Sequence, residues 1–271
     1  MVTPQVLLAN AARQDYLCLH FFYDIYDSPH PATFRRVLEP KEAVAPAKIP
    51  TSPSSGHEKT LPSASFVHIT LHSELQPGST GIVHIGTMAV DQSGPTTEVA
   101  VKIAFLRDEK SRLMEEHRIY SYLHSKGVQG IPRNIGLFVD QELLLGAEGP
   151  YALVMSYAGR SMPTSDSHKQ VVDPFSIAID SNNICSESLL ATLTSMHRAD
   201  VLHGDLRHSN ICVTAAGEAS LVDFSHATKG GSQKEKDLEI QELAYILKMD
   251  LPMEPAARGR EARARSSSTQ A

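Results

Sequence analysis

The sequence predicts an α+β fold, with a sheet-rich first part carrying one long helix and a shorter, mainly helical second part. Three observations point to it. Residues 66–75, 82–89 and 99–105 read as successive strands, the first by clear alternation of Phe66, His68 and Thr70 with Val67, Ile69 and Leu71. Residues 108–125 place Leu113, Tyr120 and Leu123 at helical spacing, and Gly127 with Pro132 closes that run. After residue 185 the longer patterned runs are helical, at 188–198 and 234–249.

The remaining elements follow in order. Tyr16 to Tyr23 is a short apolar-aromatic stretch, either a strand or a helix turn packed on the main domain. Residues 40–62 are rich in Pro, Ser and Ala, which cannot build a core, and read as a linker. Residues 137–140 and 151–157 read as strands, and 161–183 as a polar loop or insertion. Residues 211–213 and 220–222 are short strands joined by a turn at Ala216-Gly217-Glu218. The Ala/Arg/Ser-rich end reads as a disordered basic tail. Three regions result: an N-terminal extension and linker at 1–62, a domain at 63–250 divided near 157/158, and the tail at 251–271.

Composition sets the class. The chain has 271 residues, 41% apolar and 21% charged, with a net charge of −6. That balance argues against a specific nucleic-acid partner, and the lack of an apolar run of about 18 residues argues against a membrane span. Cys18, Cys185 and Cys212 are odd in number and widely spaced, which favours a reducing, intracellular setting, cytoplasmic or nuclear. The 13 histidines are scattered, and His203, His208 and Cys212 lack zinc-ligand spacing.

Four signals in one order point to phosphoryl transfer. Asp205 lies in His203-Gly204-Asp205-Leu206-Arg207-His208-Ser209-Asn210, a carboxylate able to accept a hydroxyl proton with a metal-binding amide five residues on. Asp223 ends the apolar strand 220–222, 18 residues later (223 − 205), where a carboxylate suits a hard cation. Lys102 sits on the 99–105 strand, with Glu116 following 14 residues later (116 − 102) on the predicted helix. Glu115 competes for that partnership, but Ile119 and Tyr120 continue the packed face through Glu116. Gly78 and Gly81, ahead of the lysine strand, would let backbone approach phosphates.

Taken together these residues resemble the eukaryotic protein kinase domain over about residues 66–250, and within that group the divergent protein-kinase-like domains abundant in fungi. The resemblance implies a bilobal protein-kinase-like fold, with an antiparallel-sheet N-lobe at about 63–157 and a reduced, mainly helical C-lobe at about 158–250. It implies ATP and Mg²⁺, with Asp205 as base, Asn210 and Asp223 as metal ligands, and Lys102 with Glu116 anchoring the phosphates. Arg207 takes the place of a lysine near the γ-phosphate. Residues 153–158 match a hinge, making Met155 the gatekeeper and bringing backbone of Ser156 and Ala158 to adenine. Val83, Ala100 and Cys212 would line the adenine slot.

The sequence departs from that pattern at several points. Gln76 and Pro77 replace the start of the glycine loop, Gly204 stands for an arginine, Ser225 for a glycine, and no Ala-Pro-Glu segment follows. The expected activity is ATP-dependent transfer to a Ser/Thr hydroxyl of a protein. The alternatives are a small-molecule hydroxyl substrate, or a pseudokinase that binds nucleotide or partners without turnover.

Overall fold

A computed structural model describes residues 3–21, 32–37, 66–74, 80–89, 94–140, 149–162 and 186–249. The expected linker at 40–62, the tail at 251–271, most of the loop at 161–183, and residues 75–79 with Gly78 lie outside them.

The chain opens with helix α1 (Pro4–Ala11), then strands β1 (Tyr16–Phe21), β2 (Ala32–Arg36), β3 (Phe66–Glu74), β4 (Ile82–Ala89) and β5 (Thr96–Ala104). Helix α2 (Arg107–Ser125) is followed by β6 (Asn134–Asp140), β7 (Tyr151–Ser156) and β8 (Arg160–Ser161). The rest comprises α3 (Ser186–Arg198), β9 (Val201–Leu202), a 3₁₀ turn (His208–Asn210), β10 (Ile211–Val213), β11 (Ala219–Leu221), β12 (Thr228–Lys229) and α4 (Gln233–Ile246). No helix among the described residues is long and apolar enough to cross a membrane.

The bilobal fold implied by the kinase resemblance is corrected here. The first seven strands close into a barrel in the order β1-β2-β6-β7-β5-β4-β3, and the described residues add four helices in a mixed α/β architecture. The closing element comes from the N-terminal region assigned above to an extension. Strand β1 pairs in parallel with β3, from Tyr16↔Phe66 to Phe21↔Leu71, and antiparallel with β2. Strand β2 in turn pairs with β6 from Phe34↔Asp140 to Arg36↔Phe138. Pairing both borders removes the exposed edges that an open sheet would carry. The second half is not a helical lobe either: α3 and α4 share it with the small sheets β11-β10-β8 and β12-β9.

Two cores explain the layering. The barrel interior is filled by side chains of alternate strand positions: Leu17 and Leu19, Val67, Ile69 and Leu71, Val99, Val101 and Ile103, Ala152 and Val154. Helix α1 adds Leu7, Leu8 and Ala11 to this core. Each large side chain so buried contributes about 1.5–3 kcal/mol. Arg36 ties α1 down, donating to the carbonyls of Ala11, Gln14 and Ile135 at 3.0, 2.7 and 2.8 Å. The second core lies between the outer barrel wall and the remaining elements. It contains Leu113, Ile119, Tyr120 and Leu123 of α2, Leu153 and Met155 of β7, and Leu189, Leu193, Met196, Phe224 and Leu243 from the second half.

Candidate active site

Strand alternation decides which way Lys102 points. Val99, Val101 and Ile103 fill the barrel, so Ala100, Lys102 and Ala104 face outward toward α2. Helix α2 starts where Glu109 turns back to accept the backbone N–H groups of Phe105 and Leu106, at 3.1 and 3.0 Å. Its buried face runs Leu113, Glu116, Ile119, Tyr120 and Leu123. Glu116 therefore meets Lys102, and Glu115 points to solvent, where it pairs with Arg118 at 3.2 Å.

Lys102 Nζ donates to Glu116 Oε2 at 2.8 Å and to Asp223 Oδ1 at 2.9 Å. Lys102 and Glu116 are buried, while the Asp223 side chain keeps 20% of its exposure. Burial works against the ammonium, but the two carboxylates outweigh it and hold the Lys102 pKa above its ordinary value. Burial drives the Glu116 carboxyl upward, more than Lys102 offsets, and Asp223 adds repulsion. For Asp223, burial is overcome by Lys102 and by hydrogen bonds from Ser225, so its carboxyl lies below the ordinary range. One ammonium thus serves two carboxylates, and Asp223 is the one that stays ionised most readily.

Asp223 is delivered by the hairpin β10–β11, in register Ile211↔Leu221 to Val213↔Ala219. Its φ is +65°, a left-handed conformation that Asp tolerates better than most side chains. Phe224 beyond it is locked between Tyr120, at a ring distance of 4.7 Å, and His203, at 5.1 Å. His203 is neutral in this setting, burial lowering its pKa against the pull of Glu239 and other carboxylates. Its Nε2–H donates to Val222 O at 3.2 Å, and its Nδ1 receives the Asp205 backbone N–H at 3.4 Å. The ring therefore joins the Asp205 loop to the segment that carries Asp223 beyond β11.

Within the loop, Asn210 Nδ2 donates to Asp205 O at 2.8 Å and to Asp205 Oδ2 at 3.0 Å. Arg207 Nε lies 3.1 Å from the same Asp205 oxygen, with the arginine side chain half exposed. Asp205, Asn210 and Asp223 together offer carboxylate and amide oxygens, the donor set that a hard cation such as Mg²⁺ prefers. Asn210 Oδ1 has a long 3.4 Å contact from Ser209 Oγ, and Asp223 retains an oxygen besides the one held by Lys102. The residues present fit the ion.

The loop is held from behind by a residue that the sequence reading did not find. Glu239 of α4 accepts the backbone N–H groups of His203 and Gly204, at 3.2 and 2.7 Å, and the Nε2–H of His197 at 2.7 Å. Burial opposes ionisation of Glu239, but the His197 bond and the two backbone donors win, and its carboxyl lies below the ordinary value. The same contacts explain Gly204. Its φ is +76° and a Cβ there would collide with the His226 carbonyl oxygen, so an arginine has no room at this turn.

The predicted nucleotide-slot residues divide. Val83 stands opposite Lys102 in the β4–β5 register, and Ala100 opposite Met155 in β5–β7. These four share the outer sheet face, with Met155 packed in the second core. Cys212 on β10 is buried beside Ser161, its Sγ 4.0 Å from Ser161 Oγ, and burial pushes its thiol up to about 11. Ser156 does not offer its amide: its N–H donates to Arg133 O at 2.9 Å, and its Oγ accepts Arg133 N–H at 2.8 Å. Ala158 follows β7 in the chain, before Gly159 at φ +96°. Gly81 opens β4 at φ +125°, where a Cβ would collide with the Ile103 carbonyl, so close strand packing itself requires glycine there. No protein-family model matches the chain, and no curated protein matches it in sequence.

Proposed function

We propose that the chain transfers a phosphoryl group from ATP to a hydroxyl. The observation that carries this reading is the convergence of Lys102, Glu116 and Asp223 within hydrogen-bond reach, beside an Asp205–Asn210 pair on a loop joined to Asp223 through His203. Transfer of this kind needs positioning and charge stabilisation more than covalent participation by the protein. Lys102, kept charged by its carboxylates, is suited to hold phosphate oxygens. Asp205 is suited to orient the acceptor hydroxyl and take its proton as the new oxygen–phosphorus bond forms and the bond to ADP breaks. Bound Mg²⁺ would supply neutralisation of phosphate charge, with Asn210 and Asp223 holding it. Arg207, half exposed beside Asp205, adds positive charge where the acceptor enters.

The acceptor we favour is a Ser/Thr side chain, with a small-molecule hydroxyl as the variant to test beside it. ATP as donor goes with an intracellular setting, cytoplasmic or nuclear. The test is release of ADP from Mg²⁺-ATP with a mixed peptide panel and with a panel of polyols, sugars and aminoglycosides. Turnover in one panel that falls at least about 100-fold in Asp205→Ala supports the reading and names the acceptor class. Nucleotide binding with equal turnover in wild type and Asp205→Ala sinks it and favours a non-catalytic scaffold.

A further inference from the structure

On the far wall of the barrel, away from Lys102, the parallel pairing of β1 and β3 brings three metal-ligating side chains to one face. Leu17, Leu19, Val67 and Ile69 fill the barrel core, so Cys18, His20 and His68 lie on the outward face. Cys18 stands directly opposite His68 in the register, and His20 follows two residues on along the same strand face. Cys18 is buried and both histidines are partly buried. The register positions flanking them on the neighbouring strands are Thr33, opposite Cys18, and Ala89, opposite His68, and neither adds a charge.

Two of the separations are those of a coordination sphere. Cys18 Sγ lies 3.5 Å from His20 Nε2, and that same nitrogen lies 3.4 Å from His68 Nδ1. One ligand atom from each of the three residues lies within 4.8 Å of the other two. A tetrahedral zinc with Zn–S of about 2.3 Å and Zn–N of about 2.05 Å sets its ligands about 3.6 Å apart for S and N, and about 3.4 Å apart for N and N. Hydrogen bonding alone serves this triangle poorly. His20 Nε2 carries either one proton or one lone pair, yet it is the vertex of both short contacts. A cation among the three atoms engages every one of them.

We propose that Cys18 Sγ, His20 Nε2 and His68 Nδ1 are the three ligands that the described residues supply to a zinc site on the outer barrel wall, a fourth donor completing its tetrahedron. One thiolate and two imidazoles select a borderline-soft ion over Mg²⁺ or Ca²⁺. The ion would clip β1 to β3, residues 48 apart in sequence at His20 and His68, across the one parallel pair of the barrel. The site stands independently of the phosphoryl-transfer reading.

The experiment uses full-length chain without a polyhistidine tag, stripped with chelator and titrated with Co²⁺, then Zn²⁺. The expected result is about one Co²⁺ per chain, with the intense visible bands of four-coordinate cobalt and a thiolate-to-cobalt charge-transfer band, both displaced by Zn²⁺. Cys18→Ser removes the charge-transfer band. His20→Gln and His68→Gln weaken binding by more than the roughly 10–100-fold typical of losing an outer-shell partner. A wild-type spectrum without the thiolate band overturns the site. So does a band that persists in Cys18→Ser, since another cysteine is then the ligand. If Cys18→Ser does not fold, His20→Gln decides, and unchanged Co²⁺ affinity in that variant overturns the site.

Discussion

Lys102 Nζ and Asp223 Oδ1 meet at 2.9 Å across 121 residues of sequence, and Glu116 closes the same ammonium at 2.8 Å. The link joins the barrel wall and α2 to the hairpin of the second half. Its burial makes it costly to break by halves. Lys102→Met leaves the Glu116 carboxylate buried without its partner, and should cost about 3–5 kcal/mol. The double variant Lys102→Met/Glu116→Leu should recover much of that stability, because the fully buried Glu116 charge is no longer stranded and Asp223, 20% exposed, keeps its bonds from Ser225. Phosphoryl transfer should be lost in both. Denaturant unfolding and turnover, measured on the three proteins, separate the structural role of the pair from its chemical one.

Asp223 combines charge with a left-handed backbone at φ +65°. Asparagine adopts this conformation readily and β-branched residues do not. Asp223→Asn should therefore keep the backbone conformation and add no strain, Lys102 retaining Glu116 as its counter-ion, while turnover falls at least about 100-fold. Asp223→Val should lose about 1–3 kcal/mol from backbone strain alone. Equal turnover in wild type and the Asn variant would show that the charge has no part in the chemistry.

Glu239 offers a pH prediction. Its folded carboxyl lies below the ordinary 4.5, so its contribution to stability is present above that value and fades as pH falls through the lower, folded pKa. Glu239→Gln should destabilise by about 2–4 kcal/mol near neutrality, since an amide NH₂ must then face backbone or imidazole donors. Between the variant and wild type, the gap in unfolding free energy should narrow as the solution is acidified below about pH 4.5. Acting through His203 and Gly204, Glu239 is a positioning residue. The Gln variant should lower kcat more than it raises KM for ATP.

At Gly204, alanine meets both a positive φ and the His226 carbonyl. The conformational term alone is about 1–2 kcal/mol. Thermal unfolding of Gly204→Ala should show a loss of at least that size, and Gly204→Arg should restore nothing. An arginine tolerated at this position would contradict the packing described here.

How much of this was legible in the sequence differs from residue to residue. Lys102 and Glu116 could be paired because the strand period fixes which side of β5 faces out, and the helical period separates Glu116 from Glu115. The Asp205–Asn210 pair is local and needed only spacing. Barrel closure was not legible. The β1–β3 pair is parallel and joins segments about 50 residues apart, and β2 is five residues long without a distinctive pattern. Nothing local marks such a partner, so a kinase-like lobed fold was expected where a closed barrel stands. Glu239 was hidden for another reason. It sits in Lys234-Glu235-Lys236-Asp237-Leu238-Glu239, where a charge run ordinarily means a solvated helix face. The Cys18-x-His20 pair was missed because its third member, His68, comes alongside only through that same parallel register.

The most direct test is a thermal-shift titration with ATP, with and without Mg²⁺, on wild type and the Lys102→Met/Glu116→Leu variant. The account predicts stabilisation of wild type that depends on Mg²⁺ and reaches about 2.7 kcal/mol at 100 times the Kd. It predicts none for the variant, whose fold is intact and whose phosphate anchor is gone. A wild-type protein that gains no stability from Mg²⁺-ATP, or a variant that gains as much, contradicts it.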